Sequence, residues 1–343
     1  MGNTLWVAND ETISLERVSL LQGNADDTYK YGEHKQFALN EYLQLPVPPP
    51  SDFKDIEEID VEGLDCKNSY LWLVGSHSLK RRKPDKEKPT DLKPLAEVTR
   101  DGNRFLLARI PIVEKDGTYI LEKEVVQKGE KLTAAKLRGD DKGNDLTKAL
   151  AQDEHLQSFL TIPGKDNGFD IEGLAVTGDR IFIGLRGPVL RGWAAILEVE
   201  VEEDNEDPFT LKLKEIGLDN QRYRKYFLDL GGLGIRDLCV RGSDLLILAG
   251  PSMDLDGPVT IFQWRGGAEP KDESLVFSPQ IQSIGDIPFG LGEDKGKDHA
   301  EGMTLFSTNN NSDRFVLVVY DSASKSRITQ TSTQEVDIFS LPE

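Results

Sequence analysis

A short motif recurs along this chain: an acidic or histidine residue, a spacer, then Glu, Gly and Leu or Met. It appears as DVEGL at 60–64, DIEGL at 170–174 and HAEGM at 299–303. A fourth copy at 234–238, GIRDL, has Arg236 where the others have Glu62, Glu172 and Glu301. Each copy is followed by an apolar run rich in aromatic and β-branched residues: YLWLVGSHS from Tyr70, RIFIGLRGP from Arg180, DLLILAGPS from Asp244 and RFVLVVYDS from Arg314. In the first, second and GIRDL copies the run starts eight residues after Glu62, Glu172 and Arg236; the last copy carries a polar insert at 309–313. A fifth run, NTLWVANDE from Asn3, has no motif before it. Self-similarity at this period is the mark of a stacked repeat, which limits the fold to a small set of architectures.

The repeating unit is made of strands. In the third unit the segments 170–176, 180–186, 193–201 and 209–216 are apolar or alternating, and the fourth unit repeats the scheme with 235–240, 245–250, 259–264 and 274–279. Runs of this length punctuated by Gly, Asn, Asp and Pro predict antiparallel strands. Repeated four-stranded antiparallel sheets are β-propeller blades. The expectation is an all-β, single-domain propeller over 1–343 with five blades. Two segments break the pattern: a Lys- and Pro-rich loop at 79–100, and a helical insertion at 132–160, where Leu146, Leu150, Leu156 and Leu160 have helical spacing. They account for the 110 positions between Glu62 and Glu172, against 64 and 65 for the later steps. A sixth blade hidden in that gap is the alternative.

Antiparallel connectivity brings the start of each motif strand and the end of the next strand to one rim. That rim collects Asp60, Glu62, Asp170, Glu172, Arg236, Asp237, His299 and Glu301 from the motifs. From the strand ends come Asn9, Asp10, Ser76, His77, Arg186, Tyr320 and Asp321. Both insertions and the Gly- and Asp-rich approach GLGEDKGKDHAEG open on the same face, the default place for a site.

Converging carboxylates repel unless a cation joins them or some are protonated. Calcium takes six to eight oxygen ligands in a loose geometry, which Glu62, Glu172, Glu301 and Asp10 or Asn9 would supply. A metal there would polarise an ester or phosphoryl oxygen, with His77 or His299 as general base and Arg186 as anion clamp. The structural reading stands beside it: the Glu side chains tie neighbouring blades together, with Arg236 as their counterion. His77 and His299 would then be ordinary loop histidines.

Composition narrows the classes further. A formal net charge of -19 opposes the counterion-release binding on which nucleic-acid proteins depend. No apolar stretch is long enough to span a bilayer, so no membrane span is expected. The start MGNTLWVANDE has no basic and apolar leader, which points to the cytoplasm. The first unit opens inside its second strand, so a removed signal and a periplasmic or secreted location remain the alternative. Cys66 and Cys239 are the only cysteines, and nothing in their spacing pairs them. Gly-rich phosphate loops, Cys-x-x-Cys, His-Glu-x-x-His and Gly-x-Ser-x-Gly do not occur.

With DVEGL, HAEGM and above all DIEGLAVTGDRIFIGLRGPVLRGWAAILEV in view, the chain resembles the bacterial domain of unknown function 3616 family through nearly its whole length. That resemblance implies a propeller-like fold and no established activity. More distantly, the acidic-x-Glu-Gly-Leu strand is similar to those of the esterase-like phytase family and the calcium-dependent phosphotriesterase propellers. Those relatives imply metal-assisted ester hydrolysis in the channel mouth, and only Glu62, Glu172 and Glu301 carry over to them; Arg236 departs. Two functions are expected: a calcium-dependent hydrolase of phosphoric or carboxylic esters, or a non-catalytic propeller binding a protein or small ligand on the same face.

Overall fold

Each motif and the apolar run behind it form an antiparallel strand pair. The tight turns between them carry residues that tolerate a left-handed backbone, such as Asn68 and Ser69 in one turn and Gly242 in another. A computed structural model describes residues 3–23, 29–51, 56–253, 255–290, 295–308, 311–330 and 333–342. Two expected features fall partly elsewhere: residues 309–310 of the polar insert and 291–294 of the GLGEDKGKDHAEG approach lie outside the described residues. The fold is all-β, and contacts along the chain divide it into two compact units. Unit 1 comprises 1–157, 178–180 and 200–222, and unit 2 comprises 158–177, 181–199 and 223–343.

In unit 1 the first sheet joins Thr4–Ala8, Ser14–Gly23 and Tyr29–Ala38. The second pairs the motif strand Val61–Lys67 with Tyr70–Gly75, which pairs in turn with Leu107–Lys115. Tyr70–Gly75 is buried along its whole length, as an uninterrupted apolar run requires. Leu15, Phe37, Leu71, Leu73 and Ile110 make the core between these sheets. Truncating one such leucine to alanine removes about 2–5 kcal/mol.

The third run of strands, Asp170–Thr177, Arg180–Gly187 and Trp193–Glu203, lies mostly in unit 2, and the fourth sheet joins Gly234–Arg241, Asp244–Gly250, Val259–Trp264 and Ile281–Ile287. The fifth has three strands, His299–Thr308, Asn311–Asp321 and Asp337–Ser340. Phe182, Ile196, Ile235 and Ile247 fill one core cluster, and Leu246, Leu248, Val316 and Val318 another. The motif glycine has a packing role here. A Cβ on Gly173 would sit 2.9 Å from the Leu238 side chain of the fourth sheet, so the third sheet can approach only because that position is bare.

The outer strands differ from expectation. The expected fourth strand at 209–216 does pair with the third, though only at its end, because Arg224–Asp229 pairs along Trp193–Glu198. Thr210–Leu213 pairs with Val201–Glu203 and with Ala135–Leu137 within unit 1. Trp193–Glu203 is 11 residues long, enough for two partners in succession. Likewise Ser274–Val276 joins Arg224–Asp229 in parallel, and Ile281–Ile287 takes the fourth place in the fourth sheet.

The expected helical insertion at 132–160 is mostly not helix. It contains the strands Glu130–Thr133 and Ala135–Leu137, a tight Gly139–Asp140/Gly143–Asn144 ladder, one helix, Asp145–Leu150, and a 3-10 turn, Gln157–Phe159. The helix starts where Asn144 caps it in a capping box with Thr147, and it buries Leu146 and Leu150. The 79–100 loop is a small hairpin closed by the pairs Lys80–Thr99 and Arg81–Val98. It carries one helical turn, Lys93–Ala96, with Pro94 in the first turn, where its missing N–H costs nothing. Among the described residues no helix is long and apolar enough to cross a membrane.

Candidate functional site

The strand register shows what the motif is built to do. Val61 pairs with Gly75 and Gly63 with Val74, so Glu62 is an extra residue on its strand. The same displacement isolates Arg236 between Ile235 and Asp237, and Glu301 between Ala300 and Gly302. Each is a β-bulge, which re-aims a side chain out of the sheet's alternation. The variable position of the repeat is therefore the bulged position.

In unit 2 the re-aimed side chains meet in a chain of alternating charge. The Arg186 guanidinium bonds Asp170 and also reaches Glu172 Oε1 at 2.5 Å. Arg236 Nη1 lies 3.1 Å from Glu172 Oε2 and 2.6 Å from Glu301 Oε1, while its Nη2 donates to Pro251 O at 3.0 Å. Asp170, Glu172 and Arg236 are buried. Buried carboxylates are stable only when paired and hydrogen-bonded, and here two guanidiniums do the pairing. Asp237 accepts from its neighbour Leu238 N at 2.8 Å and from Met303 N of the fifth sheet at 2.7 Å. The sheet-tying role expected of the glutamates thus belongs in part to Asp237.

Unit 1 holds Asn9, Asp10, Asp60, Glu62 and His77. Asn9 and Asp10 are exposed in a turn where Asn9 Oδ1 accepts from Glu11 N at 2.9 Å. Asp60 is buried at a positive φ of 57° and lies 2.8 Å from Arg104 Nη1. Arg104 also donates to Glu58 at 2.6 Å and Ser78 Oγ at 2.8 Å. Burial opposes charge on Arg104, but the Asp60 and Glu58 carboxylates outweigh it and raise its pKa above the ordinary guanidinium value. Burial likewise works against the Glu58 carboxylate, and hydrogen bonds from Lys80 and Arg104 win and lower its pKa.

His77 was expected at the strand end as a general base or as an ordinary loop histidine. It is buried instead, with Nδ1 2.8 Å from Gly75 O and Nε2 2.7 Å from Asn144 Nδ2. Desolvation pushes its pKa down to about 4, against a weaker opposing contribution from Gly75. With Nδ1 donating and Nε2 accepting, the neutral ring pins the insertion's helix cap to the end of the second-sheet strand. That engagement leaves neither nitrogen for catalysis.

His299 has the opposite surroundings. Its ring is partly exposed, with Nε2 3.2 Å from Gly296 O and 3.4 Å from Asp256 Oδ1. It borders a cleft in unit 2 whose walls include Arg236, Asp256, Val259 and Phe289, continuing towards Ser322 and Lys325. Beneath it the buried Asp298 accepts from Ser324 N at 2.8 Å and Arg327 Nε at 2.7 Å. Burial opposes the Asp298 carboxylate, but Arg327 and Ser324 prevail and lower its pKa. Arg327 continues to Asp337 at 2.7 Å, tying the approach to the motif into the fifth sheet. Asp321 is exposed and accepts from Ser322 Oγ at 3.0 Å.

A family model described as "Protein of unknown function (DUF3616)" matches residues 1–337. The chain belongs to this family. No curated protein matches it. Membership agrees with the family likeness carried by DVEGL, DIEGL and HAEGM, and assigns no chemistry.

The chemistry of the donor set can be tested directly against calcium. Both oxygens of Glu172 face guanidiniums, and Arg236 stands between Glu172 and Glu301, where a shared cation would have to bind. As arranged, these residues do not fit a calcium ion. Among the described residues no group of three or more His, Cys, Asp or Glu side chains is disposed to hold a metal. Cys66 and Cys239 are not joined in a disulfide. Sequence reasoning missed Arg104, Asn144 and Asp256. Arg104 lies just past the 79–100 insertion and outside the repeat motif, and Asp256 sits in a loop between strands.

Proposed function

We propose that this DUF3616 chain is a non-catalytic binding protein of five propeller-like repeats, which takes a small polar ligand in the unit 2 cleft beside His299. The repeat order supports the architecture, since the second to fifth repeats each open with a motif strand followed by its apolar partner. The observation that carries the function is the use of Arg186 and Arg236 to satisfy Asp170, Glu172 and Glu301. Glu172 and Glu301, two of the glutamates that a metal-dependent hydrolase would use to hold a cation, have arginine partners already. What stays open beside His299 is a shallow cleft with Val259 and Phe289 on its apolar side and Asp256 and His299 on its polar side.

Thermal melting against a panel of small polar metabolites tests this reading, because a ligand that binds only the folded chain raises the midpoint with its concentration. At least one compound should shift the wild type and not His299→Ala/Asp256→Ala. A shift with calcium, reversed by chelator, together with no ligand response, overturns it.

One observation favours a second reading, hydrolysis of phosphoric or carboxylic esters in the same cleft. The His299–Asp256 pair has the form of a carboxylate-oriented general base. Turnover of generic esters that is lost in His299→Ala would support it.

A further inference from the structure

The 79–100 hairpin of unit 1 contrasts with the rest of this acidic chain. It contains eight Lys or Arg residues against four Asp or Glu, while the whole chain carries a net charge of -19. Some of its charge is settled locally: Lys80 bonds Glu58, Arg82 bonds Glu97 at 2.8 Å and Lys88 bonds Asp85 at 3.2 Å. Lys83, Lys86 and Lys93 have no ion pair among the described residues and are exposed. The same hairpin holds three apolar side chains in water, Leu92 at 71% exposure, Leu95 at 49% and Val98 at 43%. The hairpin's own ladder and its Pro94-started turn hold this mixture on an ordered protrusion. Loose polar loops rarely display a leucine cluster without a partner.

We propose that this hairpin docks an acidic protein segment that also carries apolar side chains. Charge complementarity selects an acidic partner, and the exposed Leu92, Leu95 and Val98 require that partner to bring apolar groups of its own. Other occupants match less of the surface. The chain's own acidic run at 198–207 supplies charge, but no exposed large hydrophobic residue falls within it. A second copy therefore answers only half of the patch. Nucleic acid would be drawn by the lysines, yet the hairpin has no aromatic residue on which a base could stack. An anionic bilayer presents a plane wide enough to feel the whole negative chain. A narrow peptide feels chiefly the charges within a Debye length, about 8 Å at physiological salt.

The test uses the full chain and a fluorescently labelled peptide of alternating Glu and Leu, read by anisotropy. A peptide with Lys in place of Glu, phosphatidylserine vesicles and duplex DNA serve as the competing probes. The acidic peptide should bind at 50 mM salt and at least tenfold more weakly at 300 mM, by analogy with other charge-steered encounters. Lys83→Glu/Lys86→Glu/Lys93→Glu should abolish binding, and Leu92→Ser/Leu95→Ser should weaken it at least tenfold, both with an unchanged melting midpoint. The proposal is overturned by no binding of the acidic peptide at low salt, by equal binding of the basic peptide, or by binding that survives either variant. Preferential binding of vesicles or DNA, or dimerisation abolished by the same Lys reversals, would also overturn it.

Discussion

The two units solve one electrostatic problem by different routes. In unit 2, Asp170 and Glu172 are neutralised from inside the repeat, by Arg186 at the end of the adjoining strand and Arg236 on the next bulge. In unit 1 the position matching Arg186 is Ser76, and Asp60 receives its guanidinium from Arg104 beyond the 79–100 insertion. A repeat can thus keep its acidic motif while changing the source of the counterion. It does so only if some other segment delivers a cation to the same place. The segment that carries Arg104 is packed against the second-sheet strand so closely that a Cβ added at Gly75 would lie 2.6 Å from Arg104 O.

The comparison can be broken most directly at Arg236. Arg236→Ala leaves Glu172 and Glu301 with fewer partners in a buried place and should cost about 4 kcal/mol in urea unfolding, the order expected for breaking a buried pair. It also opens space between two carboxylates, so millimolar calcium should recover part of the loss while leaving the wild type unchanged. A wild type that calcium stabilises as strongly as the variant would defeat the idea that arginine occupies the cation's place.

Arg104→Met makes the corresponding change in unit 1. Lys80 still bonds Glu58 there, so the loss should be smaller, about 3 kcal/mol, and calcium should not repair it. A larger loss than for Arg236→Ala would mean that the imported counterion carries more of the fold than the built-in one.

His77 sharpens the comparison through pH. Its folded-state pKa is about 4, below the ordinary 6.5, so on acidification the unfolded chain takes the proton first and stability falls from pH 6.5 downwards. Between pH 6.5 and 5, where carboxylates stay ionised, the wild type should lose about 2 kcal/mol that His77→Gln does not lose. Equal slopes for the two proteins would show that His77 is not the titrating group.

Some of this was readable in the residues alone. The strand pairs Val61–Lys67 with Tyr70–Gly75 and Gly234–Arg241 with Asp244–Gly250 follow from an acidic motif and a continuous apolar run. The outer strands were not readable, because Ser274–Val276 and Ile281–Ile287 have equal strand character and only tertiary competition assigns them. The link between Arg236 and the glutamates was visible as a charge substitution in a repeat. The burial of His77 was not, since it depends on Asn144, 67 positions away and in a segment whose leucine spacing suggested helix. Helical spacing at Leu146 and Leu150 was real for one short helix and misleading for the strands before it.

The recurrent bulge gives the repeat a socket. Because the extra residue is absorbed locally, pairing resumes with Gly63, Asp237 and Gly302 whatever the bulge carries. A copy of the unit can therefore exchange acid for base at that one position without disturbing the alternation of the strand behind it. The backbone therefore accepts different side chains at 62, 236 and 301, but the charge placed there must still be matched by its neighbours, as Arg236 is by Glu172 and Glu301.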